Sequence, residues 1–139
     1  MTSDDRRVVL DASAVIAWVR HEVGWNIVAR TLSVASLPAS ALTESLYRAR
    51  ERGSTMSAPE LYDALTAMGV EIEPVTAEDA IRAAELIEVS RAARKPGGSS
   101  LSLGDGLCIA VAERLDLTVT GGDLHWATLD LRVKFLPFR

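Results

Sequence analysis

Four acidic residues are spread along the 139-residue chain at places where carboxylates can take part in chemistry: Asp11, Glu44, Asp105 and Asp123. Asp11 and Asp123 each follow a segment that is predicted to be a β-strand. Asp105 falls in the first turn of a predicted helix, where the helix dipole favours an anion, and Glu44 lies about one turn inside another helix. These positions are compatible with all four side chains facing one crevice.

Carboxylates that cluster without a cation repel one another and raise one another's pKa values, so the arrangement predicts a bound divalent metal ion. Mg²⁺ and Mn²⁺ prefer oxygen ligands of this kind. Zinc is a poor match, since one Cys and two His residues cannot supply its usual ligands. A hard cation at such a site polarises a phosphodiester and activates water, so the pattern favours hydrolysis of a nucleic-acid backbone.

Ser13 follows Asp11 by two residues and has two interpretations. Its hydroxyl could hydrogen-bond the Asp11 carboxylate or a metal-bound water and so act as an outer partner of the metal site. It could equally satisfy backbone N–H groups at the start of the helix.

The elements that must position these side chains alternate between short apolar strands and longer helices, a pattern typical of parallel strands joined by helical crossovers. Strands are predicted at 8–10, 34–37, 70–75, 117–120 and 133–136. Helices are predicted at 12–20, 24–32, 40–53, 57–68, 76–94 and 103–115, with a mobile loop at 95–100. The order predicts one α/β domain over residues 1–139, a three-layer α/β/α sandwich with a mostly parallel central sheet, and ligands bind such sheets beyond the carboxyl ends of the strands.

Capping residues mark the starts of several of these helices. Ser40 is predicted to cap the helix that carries Glu44. Ser57 with Glu60 has the spacing of a capping box, in which each side chain bonds the other residue's backbone N–H.

Composition indicates an ordinary globular protein, with 48% hydrophobic and 24% charged residues. The single cysteine, Cys108, excludes an internal disulfide and lies among apolar neighbours, which favours a buried, unreactive thiol. With no signal peptide or membrane span evident, we expect a cytoplasmic protein. The net charge of −4 argues against a nucleic-acid partner, but without the four predicted ligands the remaining 15 acids balance the 15 Lys and Arg residues.

Other polar and aromatic residues have weaker functional interpretations. Arg48 follows Glu44 on the same helix and is a candidate RNA contact, although a solvated charge is the commoner role for such a residue. His125 lies two residues from Asp123 and could act as a general acid or base. The three Trp residues could stack on bases, but packing in the core or at an interface is the commoner use.

Four segments resemble a known family when they are taken in order: VVLDASA at 8–14, ALTESL at 41–46, LSLGDGL at 101–107 and TGGDLHW at 120–126. They are similar to PIN-domain ribonucleases, and most similar to VapC-type toxins of bacterial toxin–antitoxin pairs. The resemblance extends from about Val8 to Phe138. It implies that Asp11, Glu44, Asp105 and Asp123 form an acidic metal site at which Mg²⁺ or Mn²⁺ supports RNA cleavage. It also implies a homodimer inhibited by a cognate antitoxin whose tail lies over the active-site groove.

The chain departs from the family pattern at two places. Gly121 and Gly122 stand where the family often has one small residue, and Leu124 stands where it often has Arg. The first change points to an indirect role for Asp123, through a metal-bound water. Gly106 stands where Ala is usual, which weakens a helix by up to about 1 kcal/mol with no benefit evident in the sequence.

Two other kinds of protein share some of these features. One is a catalytically silent PIN-like module that only binds a partner, which the altered segment at 121–123 would allow. The other is a phospho-receiver domain, which needs an acidic pair directly after its first strand. Here Asp4 and Asp5 precede that strand, and no Asp follows the strand predicted at 70–75, so the receiver is the poorer match.

Overall fold

The computed structural model describes residues 5–139, and a sheet of four short parallel strands forms its centre. The strands are β1 (Val8–Leu10), β2 (Ala35–Pro38), β3 (Glu71–Glu73) and β4 (Thr118–Thr120). Their order across the sheet is β3-β2-β1-β4, and every neighbouring pair is parallel. Asp4, one of the two acids weighed for a receiver domain, lies outside the described residues.

Six α-helices surround the sheet within the described part of the chain: α1 (Ala12–Arg20), α2 (Trp25–Ala29), α3 (Ala39–Glu51), α4 (Ala58–Ala67), α5 (Ala77–Ala93) and α6 (Leu103–Leu115). Short 3-10 turns occur at Leu32–Val34 and Leu124–Thr128. The predicted capping box of Ser57 and Glu60 is confirmed at the start of α4. No helix within residues 5–139 is long and apolar enough to cross a membrane.

Several predicted boundaries were wrong, for identifiable reasons. The prediction that Ser40 caps α3 is wrong, because the helix begins one residue earlier and Pro38 occupies the capping position. β3 is shorter than the predicted strand at 70–75, since Pro74 has no N–H to donate and Val70 N–H bonds Leu65 O at the end of α4. The predicted strand at 133–136 is reduced to a single parallel bridge between Val119 and Phe135, and Pro137 follows it.

The strands alternate their side chains between two cores, one on each face of the sheet. Val8 and Leu10 of β1 pack on one face with residues of α1 to α4. Val9 points to the other face and packs with residues of α5 and α6. The three-layer α/β/α architecture predicted from the sequence is therefore confirmed.

Gly106 has a packing role that the sequence did not reveal. A Cβ atom at this position would lie 2.8 Å from Ile87 Cδ1 and 3.3 Å from the Ala83 carbonyl oxygen, both on α5. A side chain there would push α5 and α6 apart. The glycine weakens α6 locally but permits this close helix contact, which is the benefit missing from the sequence-based interpretation.

The strand order changes direction between β1 and β4. The chain moves outward from β1 through β2 to β3, and then returns to add β4 on the opposite side of β1. Loops that leave the carboxyl ends of such neighbouring strands diverge and leave a crevice, which is the usual ligand site of an open parallel sheet.

Candidate active site

A groove of about 650 Å³ opens beyond the carboxyl ends of β1 and β4, and all four acids identified in the sequence line it. We call it the acidic groove. The charged and hydroxyl side chains along it are Asp11, Ser13, Glu44, Arg48, Glu51, Arg52, Asp105, Asp123 and Arg139. Residues that are more than 100 positions apart in sequence are thus brought to one surface.

Asp11 is held by bonds from both its backbone and its side chain. Its N–H donates to the Thr120 carbonyl oxygen over 3.1 Å, which continues the pairing of β1 with β4. Its carboxylate caps α1 by accepting the Ala14 N–H over 2.9 Å. Ser13 Oγ lies 2.8 Å from each Asp11 carboxylate oxygen and donates to this group. The Asp11 carboxylate therefore has a fixed orientation toward the groove.

Ser13 also connects the two sides of the groove, which follow β1 and β4. While its hydroxyl donates to Asp11, its oxygen accepts the Gly122 N–H over 3.1 Å. One hydroxyl thus ties the start of α1 to the segment that follows β4. Both interpretations of Ser13 concerned local bonds, and this contact across the groove required the tertiary structure.

Burial raises the pKa of Asp11 from 3.8 to about 7. The hydrogen bonds from Ala14 and Ser13 oppose the rise, whereas the nearby charges of Asp105 and Glu44 add to it. Within the described residues no cationic side chain forms an ion pair with Asp11. The negative charge of ionised Asp11 therefore lacks a positive partner among these residues. A cation in the groove would lower the free energy needed to ionise Asp11.

Asp105 stands at the start of α6 in a capping box. Its N–H donates to Ser102 Oγ over 3.1 Å, and its Oδ2 accepts the Ser102 N–H over 3.3 Å. Burial raises the pKa of Asp105, and the charge of Asp123 contributes to the rise. The capping box leaves Oδ1 without a hydrogen bond inside residues 5–139, so this oxygen remains available to a ligand.

Glu44 reaches the groove from α3 and lies against the first turn of α6. Its Oε2 pairs with Arg48 one turn later, at 3.2 Å. A Cβ atom at Gly104 would approach Glu44 Oε1 to 2.6 Å. Glycine at 104 therefore makes the room that this carboxylate occupies beside Asp105.

The segment after β4 shows what its two glycines do. A Cβ atom at Gly121 would lie 2.7 Å from Asp11 Oδ2, so only glycine lets this backbone approach the buried carboxylate so closely. Asp123 is exposed, and its Oδ1 accepts the His125 N–H over 2.9 Å at the start of a 3-10 turn. The Thr120 hydroxyl does not bond the acids of the groove but donates to the Leu136 carbonyl oxygen.

As they stand, the acids do not form a closed metal cage: within residues 5–139 no three His, Cys, Asp or Glu side chains are grouped closely enough to hold an ion. Each acid instead has a local partner, namely Ser13, Arg48, Ser102 or His125. The donor set itself, four carboxylates around one groove, fits a hard divalent cation.

The remaining candidates lie elsewhere or in the core. His125 is not part of the groove lining, and its Nε2 lies 3.2 Å from Ser90 Oγ. Trp126 is fully buried, while Trp25 is partly exposed and stacks on His21 at 4.2 Å. Cys108 is buried, as predicted, and burial raises the pKa of its thiol well above the ordinary value.

Arg139 and Arg52 were not singled out for this site by sequence reasoning, although both line the groove. Arg52 directly follows α3. Arg139 belongs to no motif, and its one signal was the apolar Phe138 beside it, which anchors the segment in the core.

The architecture is shared with solved toxin structures. VapC20 of Mycobacterium tuberculosis, a sarcin-ricin loop cleaving toxin, superimposes with a TM-score of 0.65 at 18% identity, over 88% of this chain and 96% of that one. VapBC2 of Rickettsia felis, bound to promoter DNA, superimposes with a TM-score of 0.69 at 13% identity, over 94% of this chain and 97% of that one. VapBC of Salmonella typhimurium, also bound to DNA, superimposes with a TM-score of 0.68 at 15% identity, over 96% of this chain and 99% of that one.

Identities this low establish a common fold and nothing finer. No curated protein is detectably similar to the chain in sequence. The sequence model of the PIN domain, however, matches residues 8–132, which include all four acids of the groove. The chain belongs to the PIN-domain family.

Proposed function

We propose that this protein is a ribonuclease that depends on Mg²⁺ or Mn²⁺, hydrolyses RNA phosphodiester bonds, and acts as the toxin of a type II toxin–antitoxin pair. One observation carries the proposal: acids from four separate parts of the chain line a single groove, and the most deeply buried of them, Asp11, has no cationic partner within residues 5–139. Membership of the PIN family supports the same chemistry.

Asp11, Glu44 and Asp105 are the residues that would hold the metal. The carboxylate of Asp11 is buried and that of Asp105 is half-buried, and both have raised pKa values, so both gain from a nearby cation. Gly104 and Gly121 leave the space around Glu44 and Asp11 free of side chains. Asp123 is exposed at the groove edge, and we assign it the weaker role of holding a metal-bound water.

The bound cation would supply charge stabilisation of the phosphodiester and a more acidic water. The chain itself supplies orientation. Ser13 fixes the Asp11 carboxylate and ties it to Gly122, and the capping box of Ser102 fixes Asp105. Arg48 lies beside Glu44 in the groove, where its guanidinium can meet RNA phosphate.

The partners and location follow from the same proposal. The solved relatives include toxin–antitoxin complexes from Rickettsia felis and Salmonella typhimurium, which supports a cognate antitoxin for this chain. We further propose that the chain forms a homodimer, folds as one domain over residues 1–139, and works in the cytoplasm. We expect its RNA specificity to reside in the shape of the groove and in contacts that flank it.

The decisive experiment is an RNA cleavage assay on the purified protein with and without metal. We expect cleavage in Mg²⁺ or Mn²⁺, its loss with a chelator, and its loss in Asp11→Asn and Asp105→Asn. Asp63→Asn removes an exposed carboxylate on α4, away from the groove, and should leave cleavage unchanged. Undiminished cleavage in both site variants would refute the assignment.

A second candidate is the PIN-like module that binds a partner without cutting RNA. It is favoured by the altered segment after β4, where Asp123 is exposed and already bonded to the His125 backbone. Metal titration separates the two, because a silent module need not retain metal binding. Absence of both metal binding and cleavage would favour this candidate.

A further inference from the structure

The wall of the acidic groove that follows β4 has no basic side chain of its own, since residues 121–124 are Gly-Gly-Asp-Leu. An RNA phosphate entering there would meet the carboxylates of Asp105 and Asp123. Negative charges that lie close together raise the free energy of the complex unless a cation lies near them. A second positive group besides the metal is therefore needed on this wall.

Arg139 brings a guanidinium to that position from the far end of the sequence. It lines the groove together with Gly122 and Asp123. A Cβ atom at Gly122 would lie 2.7 Å from both Nε and Nη2 of Arg139. The guanidinium thus occupies the space that a side chain at 122 would fill, directly beside Asp123 in the chain.

The residue before it holds Arg139 in place. Phe138 is 1% exposed and packs in the core that contains α1 and α2. Its N–H donates to the Gly121 carbonyl oxygen over 3.4 Å, and the Arg139 guanidinium lies 5.0 Å from the centre of its ring. The arginine is therefore attached to a rigid anchor and not to a free chain segment.

Arg139 is also the least engaged of the three arginines in the groove. Arg48 pairs with Glu44 at 3.2 Å, and Arg52 pairs with Glu22 at 2.8 Å. Within residues 5–139, the nearest carboxylate contact of Arg139 is Glu22 at 3.9 Å, which is long for a hydrogen-bonded pair. Its five N–H donors are arranged as a fork that matches a phosphate, and most of them remain free to bind one.

We propose that Arg139 binds a phosphodiester of single-stranded RNA on the β4 wall of the acidic groove. There it offsets the charge of Asp123 and fixes the position of the strand relative to the four acids. This inference rests on the proposed ribonuclease function and deepens it by naming a substrate contact. In this proposal Phe138 anchors Arg139 in the core, and Gly122 leaves the space that the guanidinium occupies.

The test measures RNA binding by fluorescence anisotropy with a labelled, mixed-sequence, single-stranded oligoribonucleotide in Mg²⁺ buffer. All variants carry Asp105→Asn, so that the RNA stays intact. We expect Arg139→Gln to weaken binding about tenfold and to lower the slope of log affinity against log salt by about 0.7, the value for one single-strand phosphate contact. Arg139→Lys keeps the positive charge but loses the forked guanidinium. The RNA affinity of this variant should therefore lie between that of the protein with Arg139 and that of Arg139→Gln.

Arg30→Gln is the matched control, because it removes the same charge from an exposed position outside the groove. It should change affinity less than twofold. Equal binding by Arg139→Gln and Arg30→Gln, in a protein that cleaves RNA without the Asp105 change, would overturn this inference alone. If the unmodified chain neither cleaves nor binds RNA, the proposed function fails and the Arg139 contact fails with it.

Discussion

Asp11 combines two properties that conflict in the absence of a metal. It is buried and close to Asp105 and Glu44, which favours the protonated acid, yet it accepts hydrogen bonds from Ala14 and Ser13, which favour the carboxylate. The first effect is the larger, since the pKa is raised to about 7. Near neutral pH its protonation state is thus poised to respond to an arriving cation.

Asp11→Asn should stabilise the metal-free protein in a pH-dependent way. With a pKa of about 7 when folded and 3.8 ordinarily, folded Asp11 binds more protons than unfolded Asp11 between these values. Stability of the unmodified protein therefore falls as pH rises from about 4 to about 7 and then levels off. Asn avoids this loss, so its advantage should grow over that range to on the order of 4 kcal/mol.

Chemical unfolding at several pH values in the presence of a chelator measures this effect. Asp63→Asn, an exposed aspartate on α4, is the control and should show no such trend. A difference between Asp11→Asn and the unmodified protein that stays constant from acid to alkaline pH would contradict the shifted pKa.

Ser13→Ala should impair activity much more than stability. The change removes the hydroxyl that orients Asp11 and accepts the Gly122 N–H. Loss of such an outer partner costs about tenfold or more in metal affinity or activity, whereas the lost hydrogen bonds cost about 1 kcal/mol of folding free energy.

Mn²⁺ titration and RNA cleavage, compared with thermal melting, separate the two effects of this change. Ser33→Ala, at an exposed serine after α2, is the matched control. A Ser13→Ala protein with normal metal affinity and normal cleavage would show that the hydroxyl serves only the local fold.

Among the elements, α5 and α6 form the most closely joined pair, and α6 carries Asp105. Arg82 of α5 bonds Glu113 through two nitrogens, at 2.6 and 3.2 Å. Arg114 of α6 bonds Asp79 at 2.9 Å. Burial opposes ionisation of Asp79, but the bonds from Arg114 and Thr76 outweigh it and lower the pKa. These pairs hold α6 against α5 and so help to position the helix that carries Asp105.

Gly106→Ala should destabilise the protein although alanine is the better helix former. Helix propensity favours alanine by up to about 1 kcal/mol. The new Cβ, however, would approach Ile87 Cδ1 to 2.8 Å and the Ala83 carbonyl oxygen to 3.3 Å. Overpacking of this kind costs about 1 to 3 kcal/mol, so we expect a net loss near 1 kcal/mol in chemical unfolding.

A double-mutant cycle with Ile87→Ala identifies the cause, because the Ile87 side chain is the closest obstacle. In the Ile87→Ala background the Gly106→Ala change should become neutral or stabilising. Equal losses in both backgrounds would mean that crowding between α5 and α6 is not the reason for glycine.

At the scale of the whole molecule, the acidic groove is a consequence of topology. β1 and β4 are neighbours in the sheet although their sequences are more than 100 residues apart, and α3 and α6 bring Glu44 and Asp105 to the same edge. Four carboxylates from four elements repel one another in the folded state alone. A cation that binds them should therefore stabilise the fold as a whole.

Mn²⁺ should raise the melting temperature of the protein at about pH 8, and excess chelator should reverse the rise. Binding to the folded state alone contributes about 2.7 kcal/mol when the ion is at 100 times its Kd. Asp11→Asn and Asp105→Asn should lose most of this response, and Asp63→Asn should keep it. A melting temperature insensitive to millimolar Mn²⁺ in the unmodified chain would argue against a metal site in this groove.

Much of the fold was predictable because its signals are local. The apolar run before Asp11, the capping box of Ser57 and the alternation of strands with helices each depend on residues a few positions apart. Boundaries were wrong where a proline intervened, as at Pro38 and Pro74, because a missing N–H or a fixed φ changes where pairing begins and ends.

The sequence by itself determined the types of the site residues and their order, because carboxylates after strands and at helix starts are recognisable one at a time. Only the tertiary structure decided that they share a groove, that Ser13 bridges to Gly122, and that Arg139 reaches the same wall. The Ser13 bond joins residues 109 positions apart, and the place of Arg139 depends on the space left by Gly122. No local pattern encodes such contacts, since they arise only when the sheet places β4 beside β1.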